Sequence, residues 1–176
     1  MKVFIIAAMT ADGHIGQAKD HLATTWTNPE DKYLFKHFVK EANNMVMGLK
    51  TFLTTAKVTP TVFNKSMPGR RLFVYTHHPE AIAAYENIEV VTESPQELVA
   101  RLEREGLDSV VICGGSQIYT MFMQSGVVTD LYIDMQATLF GEGVPLFNAP
   151  IDAVISLKEI KRLGDNNVLL HYQVAK

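Results

Sequence analysis

The chain has 176 residues, 47% apolar and 20% charged, as expected for one globular domain able to bury a substantial core. Net charge is −3 and no basic stretch alternates with aromatics, so nothing supports nucleic-acid binding. The lone cysteine, Cys113, excludes an internal disulfide framework and fits a reducing compartment.

The first element is the apolar run from Lys2 to Met9, a strand buried on both faces. It is too short to span a bilayer, and the polar Thr10-Ala11-Asp12-Gly13 after it is no signal-peptide cleavage region. A cytoplasmic protein with no membrane partner is therefore expected. Thr10 to Thr27 is polar and irregular, long enough to be a functional loop. A helix then spans Pro29–Ala42: Asn28 suits the N-cap, Pro29 the first position, and Glu30 and Asp31 the positive end of the dipole. Leu34, Phe35, Phe38, Val39 and Ala42 share one face, and Asp31 lies one turn before Phe35 on that side. Two readings of Asp31 stand: it closes a capping arrangement with Asn28, or it serves chemistry at an apolar border.

Further strands are predicted at Asn44–Met47, Arg71–Thr76, Ile88–Thr92, Ser109–Cys113, Leu131–Thr138, Ala153–Arg162 and Val168–Val174. Helices are predicted at Lys50–Ala56, near Pro79–Tyr85, after the capping box Ser94-Pro-Gln-Glu97 as far as Gly106, and at Gln117–Gln124. Lys57–Arg70, with two prolines and a Pro-Gly pair, reads as loop. The expected architecture is a single α/β domain over residues 1–176. Its central, mainly parallel eight-stranded sheet is flanked by helices and ends in an antiparallel hairpin.

In such a sheet, ligands lie beyond the carboxyl ends of the strands, beside helix N-termini. Three places qualify: the loop leading to Asp31, Met47-Gly48-Leu49-Lys50-Thr51, and Cys113-Gly114-Gly115-Ser116-Gln117. The last two offer backbone amides and helix dipoles to phosphate, or else are plain strand-to-helix turns. The dinucleotide fingerprint Gly-x-Gly-x-x-Gly, the Walker loop and the Gly-x-Ser-x-Gly elbow are all absent. The six histidines show no paired ligand spacing, so no metal is expected.

Taken together, these segments resemble dihydrofolate reductase, in order and over nearly the whole chain. Ile6-Ala7-Ala8 and Asp12-Gly13-His14-Ile15-Gly16 are similar to the family's first strand and mobile active-site loop. Trp26 and Asp31 stand at the spacing of its loop tryptophan and catalytic carboxylate, with Phe35 as its pocket phenylalanine. Met67-Pro68-Gly69-Arg70 resembles the turn whose arginine grips the folate carboxylate, and Gly114-Gly115 with Tyr119 the nicotinamide side. The resemblance implies NADPH-dependent reduction of dihydrofolate, with Asp31 and Trp26 catalytic. It places Ile6, Ala7, Ala8, Asp31, Phe35, Arg70, Cys113 and Asp134 around the substrate. Toward the cofactor it places Ala8, Ile15, Gly16, Gly48, Lys50, Thr51, Thr76 and His77, and then Cys113, Gly114, Gly115, Ser116, Gln117, Ile118 and Tyr119.

The pattern also departs from the family. Leu49 replaces an arginine for the cofactor's 2′-phosphate, leaving His77 and His78 as candidates, and Lys32 follows the acid where an apolar residue is common. Ser116 and Gln117 replace a glycine and a basic residue. Asp134 replaces a threonine, and two acids there would raise one pKa. Met9–Gly13, Leu139–Phe147 and Lys161–Val174 are more similar to the pyrimidine reductase domain of riboflavin synthesis. A ribosylaminopyrimidine reductase is thus one alternative, and a non-catalytic nucleotide sensor another.

Overall fold

Successive side chains of the first strand, β1 (Lys2–Thr10), alternate between two cores: Val3, Ile5 and Ala7 on one face of the sheet, Phe4 and Ile6 on the other. The computed structural model describes residues 1–58 and 70–175. The Pro68-Gly69 turn and most of the loop expected at Lys57–Arg70 lie outside the described residues.

The remaining strands are β2 (His14–Gly16), β3 (Asn44–Gly48), β4 (Arg71–Tyr75), β5 (Ile88–Val91), β6 (Ser109–Ile112), β7 (Asp130–Gln136), β8 (Val144–Pro145), β9 (Ile155–Arg162) and β10 (Asn167–Val174). Helices are α1 (Pro29–Ala42), α2 (Leu49–Val58), α3 (Pro95–Arg104) and α4 (Ser116–Gln124), with 3-10 turns at Ala23–Thr25 and Pro79–Ile82. The main sheet runs β5-β4-β3-β6-β1-β7-β10-β9; it is parallel as far as β7, and β10 pairs antiparallel with both β7 and β9. This is the expected eight-stranded α/β sheet with its hairpin.

Helices α1 and α2 bury Leu34, Phe38, Val39, Phe52 and Ala56 against one face, and α3 and α4 bury Leu98, Leu102, Ile118 and Phe122 against the other. Burying a side chain of this size stabilises the fold by about 1.5–3 kcal/mol, so these faces fix where each helix N-terminus ends up. Helix α3 has the full capping box, Ser94 accepting from Glu97 N and the Glu97 carboxylate from Ser94 N. Helix α1 has half of one: Asn28 Oδ1 accepts from Asp31 N at 3.0 Å. The cap thus uses the Asp31 backbone and leaves its carboxylate for other partners.

Two expectations shift. The stretch Thr10–Thr27 is not wholly irregular, because β2 pairs with β8 in a small second sheet. Helix α2 continues through Lys57 and Val58, which were expected in the loop.

Candidate active site

The carboxyl ends of β1, β3, β4 and β6 open on a cleft of about 1920 Å³. Ile6, Ala7 and Ala8 form its floor, Asp31 and Phe35 enter from α1, and Cys113 and Arg70 complete this end. Among the described residues, the Arg70 Nε is buried and has no hydrogen-bond partner. The Cys113 thiol is pushed up to about 12 by burial, so it is no thiolate nucleophile at neutral pH.

At the other end, Gly48, Lys50 and Thr51 open α2, while Gly115, Ser116, Gln117, Ile118 and Tyr119 open α4. Thr76 and His77 follow β4, and Ile15 and Gly16 reach in from the loop. The two helix starts meet closely. A Cβ on Gly115 would lie 3.1 Å from Thr51 Oγ1, and one on Gly48 would lie 3.0 Å from Ile118 Cγ1. Gly114 has φ +98, and a Cβ there would come within 2.9 Å of the Tyr119 phenol, whose hydroxyl donates to Ile6 O at 2.8 Å. The buried Ser116 Oγ has no hydrogen-bond partner among the described residues. Two helix N-termini, the close backbone approach at Gly48, Gly114 and Gly115, and an orphaned hydroxyl fit a phosphate-bearing cofactor.

Asp31 is 7% exposed and Asp134, on β7, is 0% exposed. Asp134 accepts from Gln136 Nε2 at 2.7 Å, and from Asn167 Nδ2 at 3.0 Å to Oδ1 and 3.2 Å to Oδ2. The same Nδ2 lies 3.3 Å from Asn28 Oδ1, linking the hairpin to the cap of α1. Burial raises the Asp31 carboxyl above its ordinary value; Thr27, Asp134 and Lys32 oppose this. The Thr27 hydroxyl favours the ionised form by proximity, without strict hydrogen-bond geometry. Burial and the facing Asp31 charge push Asp134 up to about 7. Two acids sharing a buried site cannot both ionise cheaply.

Not every expected residue lines the cleft. Asp134 stands behind Asp31, beside Ala8 in the sheet. Gly114 contributes backbone, its carbonyl accepting from Gly48 N at 2.9 Å. Trp26 packs edge-on against Phe140, with centroids 5.1 Å apart, so it meets the loop rather than the cleft wall. The Phe140 loop is itself pinned to Asp12, which accepts from Phe140 N and Gly141 N.

Two contributors were missed. Tyr75 lines the cleft with a buried phenolic oxygen that has no partner among the described residues, and reads from sequence as ordinary strand. Asn167 sits in Gly164-Asp-Asn-Asn167, where turn chemistry explained it fully; the signal was a second acid on β7 needing a donor.

A parallel sheet with an acid at one end of its switch-point cleft and two helix N-termini at the other defines a reductase of the dihydrofolate reductase-like superfamily. Residues 2–142 match the family model described as dihydrofolate reductase, and the chain belongs to that family. No curated protein matches the sequence. Among solved structures, a protein named for riboflavin biosynthesis from Shewanella sp. PV-4 is similar at TM-score 0.78 and 19% identity, covering 100% of both chains. A pyrimidine reductase-like protein from Corynebacterium diphtheriae gives 0.77 and 14%, over 99% of this chain and 92% of its own. Dihydrofolate reductase from Enterococcus faecalis, solved with NADP(H) and RAB-propyl, gives 0.66 and 22%, over 99% and 97%. No helix among the described residues is long and apolar enough to cross a membrane.

Proposed function

We propose that the chain reduces 7,8-dihydrofolate to 5,6,7,8-tetrahydrofolate with NADPH. The observation that carries this reading is Asp31, an acid buried at the cleft wall whose carboxylate is not used by the cap of its own helix. A carboxylate there accepts from the 2-amino group and ring N–H of a pterin, fixing the ring against Phe35 and favouring positive charge on it. Arg70, whose Nε has no partner among the described residues, takes the carboxylate of the substrate's tail at the same end.

NADPH, when bound, supplies the hydride. Lys50, Thr51, Ser116 and Gln117 hold its phosphates at the starts of α2 and α4, His77 meets the adenosine end, and Ile15 and Gly16 cover the nicotinamide. Trp26 anchors the covering loop through Phe140.

A second reading is reduction of a ribosylaminopyrimidine. It is favoured by Asp134 standing where the family has a threonine, with its donor Asn167 on the hairpin that resembles pyrimidine reductases. The decay of NADPH absorbance separates the readings. Dihydrofolate-dependent decay supports the first; decay only with the ribosylaminopyrimidine supports the second; cofactor binding without decay for either leaves a nucleotide sensor.

A further inference from the structure

Helix α1 sorts its charges by side. Lys32, Lys36 and Lys40 recur at every fourth position, and all of them line the cleft beside Phe35 and Val39. The acids Glu30 and Glu41 are absent from that wall, and Glu41 lies 4.0 Å from Lys2 and 3.9 Å from His37. Like charges four residues apart repel and weaken a helix, so the row does not serve α1 itself. None of the three lysines makes an ion pair or a hydrogen bond among the described residues; Lys32 acts on Asp31 only through space.

The row joins two groups of the site. Asp31 stands in the first turn of α1, while Arg71 N donates to Asn43 O at 3.2 Å and so seats Arg70 beside the C-terminal end of the same helix. Lys32 to Lys40 spans about 12 Å, with about 6 Å between successive lysines. Apart from Asp31, the acids lining the cleft are Asp20, on the loop before α1, and Glu93, which Arg101 holds at 2.6 Å. On a chain of net charge −3, a wall carrying Lys32, Lys36, Lys40 and Arg70 focuses its field on anions. A single phosphate is too small to engage the whole row. A γ-glutamyl chain repeats every five backbone bonds, about 6 Å when extended, so its carboxylates keep step with the lysines.

We propose that the substrate's tail carries several carboxylates in series, as an oligo-γ-glutamyl chain does, with Arg70 taking one and Lys32, Lys36 and Lys40 the others. The proposal rests on the dihydrofolate reading and specifies the form of that substrate. Exposed ion pairs are individually weak, and the row gains by presenting several of them to one tethered chain. The lysines meet the tail and not the reacting ring, so they set affinity rather than the rate of hydride transfer.

The test compares the binding of dihydropteroyl monoglutamate with that of its tetra-γ-glutamyl form by titration calorimetry. In the parent the longer tail should bind about 3- to 100-fold tighter at low ionic strength, with the gain shrinking as salt is added. Lys32→Gln, Lys36→Gln and Lys40→Gln together should bring that ratio close to one. Glutamine is a good helix former and removes the like-charge repulsion, so this triple variant should melt no lower than the parent. Equal affinities in the parent, or an unchanged ratio in the triple variant, would overturn the proposal. A second arm uses p-aminobenzoyl tetra-γ-glutamate, which has no pterin. It should bind the parent and lose binding in the triple variant; no binding to the parent, or displacement by equimolar inorganic phosphate, would also overturn the proposal. Absence of NADPH oxidation with either tail length would remove the dihydrofolate reading, while the pterin-free arm still decides the tail, so the two failures are told apart.

Discussion

Asn167 donates to both oxygens of Asp134, at 3.0 and 3.2 Å, from a strand that begins 33 residues further along the chain. The family match ends at residue 142, so this donor comes from outside the matched stretch. It makes the C-terminal hairpin part of the site. Truncating Asn167 to alanine leaves Asp134 with Gln136 alone and frees Asn28 Oδ1 of its second partner. A buried acceptor left short of donors costs about 1–3 kcal/mol, more for a charged one. Denaturant unfolding of Asn167→Ala should show a loss of at least this size.

The two readings of Asp31 can be separated because its roles sit on different atoms. The cap uses its N–H, the proposed chemistry its carboxylate. Asp31→Asn keeps the N–H and the side-chain shape. Turnover near neutral pH should fall at least about a hundredfold, within the range of positioned acid–base help, with the melting temperature held or raised. Unchanged turnover would show the carboxylate to be a bystander.

The raised acids also make stability depend on pH. Both folded values lie above the usual 3.8, so between about 4 and about 7 the native state binds more protons than the unfolded chain. Stability conferred by the protonated pair is therefore complete at low pH and is lost as pH rises through this window. The limiting slope is about 1.4 kcal/mol per pH unit for one extra proton. Exposed acids such as Glu97 and Glu105, held down by their partners, act oppositely below that window. Subtracting the profile of Asp134→Asn from that of the parent cancels them. The difference should favour the parent progressively less from pH 4 to 7; a flat difference would mean the acids titrate normally.

The sheet was readable because β1, β3 and β6 are near-continuous apolar runs between turn residues, and α1 and α3 carry their caps in the sequence. Strands β2 and β8 were not, since three and two residues are too few to show a period. The same contrast holds in the site. Residues carried by one contiguous segment, such as Gly114–Tyr119, could be read from order and spacing. Asn167 and Tyr75 matter only because the fold brings distant strands together, and each had a sufficient local explanation. Trp26 shows the limit from the other side: its spacing from Asp31 was legible, while its contact with Phe140 depends on a loop 114 residues away.

Gly114 is bound to its site by two separate constraints, φ of +98 and the Tyr119 ring. Gly114→Ala must relieve a contact of 2.9 Å with the phenol, and the phenol can move only by giving up Ile6 O. A left-handed non-glycine residue costs about 1–3 kcal/mol by itself, and a broken buried hydrogen bond adds about 1–3. Thermal unfolding should show a loss near the sum, with cofactor affinity weakened because α4 begins two residues later. By contrast, Gly126, with φ +74 and open space around its missing Cβ, should show only the backbone share when changed to alanine.

Arg70 tests the tail of the proposed substrate. Its side chain lines the cleft with Cys113, and among the described residues its Nε has no partner. A charged hydrogen bond to a substrate carboxylate is worth about 1.5–3 kcal/mol. That bond forms equally in the bound substrate and the transition state, so its loss appears as binding rather than rate. Arg70→Ala should raise KM for dihydrofolate about 10- to 100-fold, by that energy, at nearly constant kcat. A pterin lacking the tail should be reduced equally well by parent and variant. If the tail-less pterin discriminated between them, Arg70 would be acting on the ring or on the cleft's shape, and the carboxylate assignment would fail.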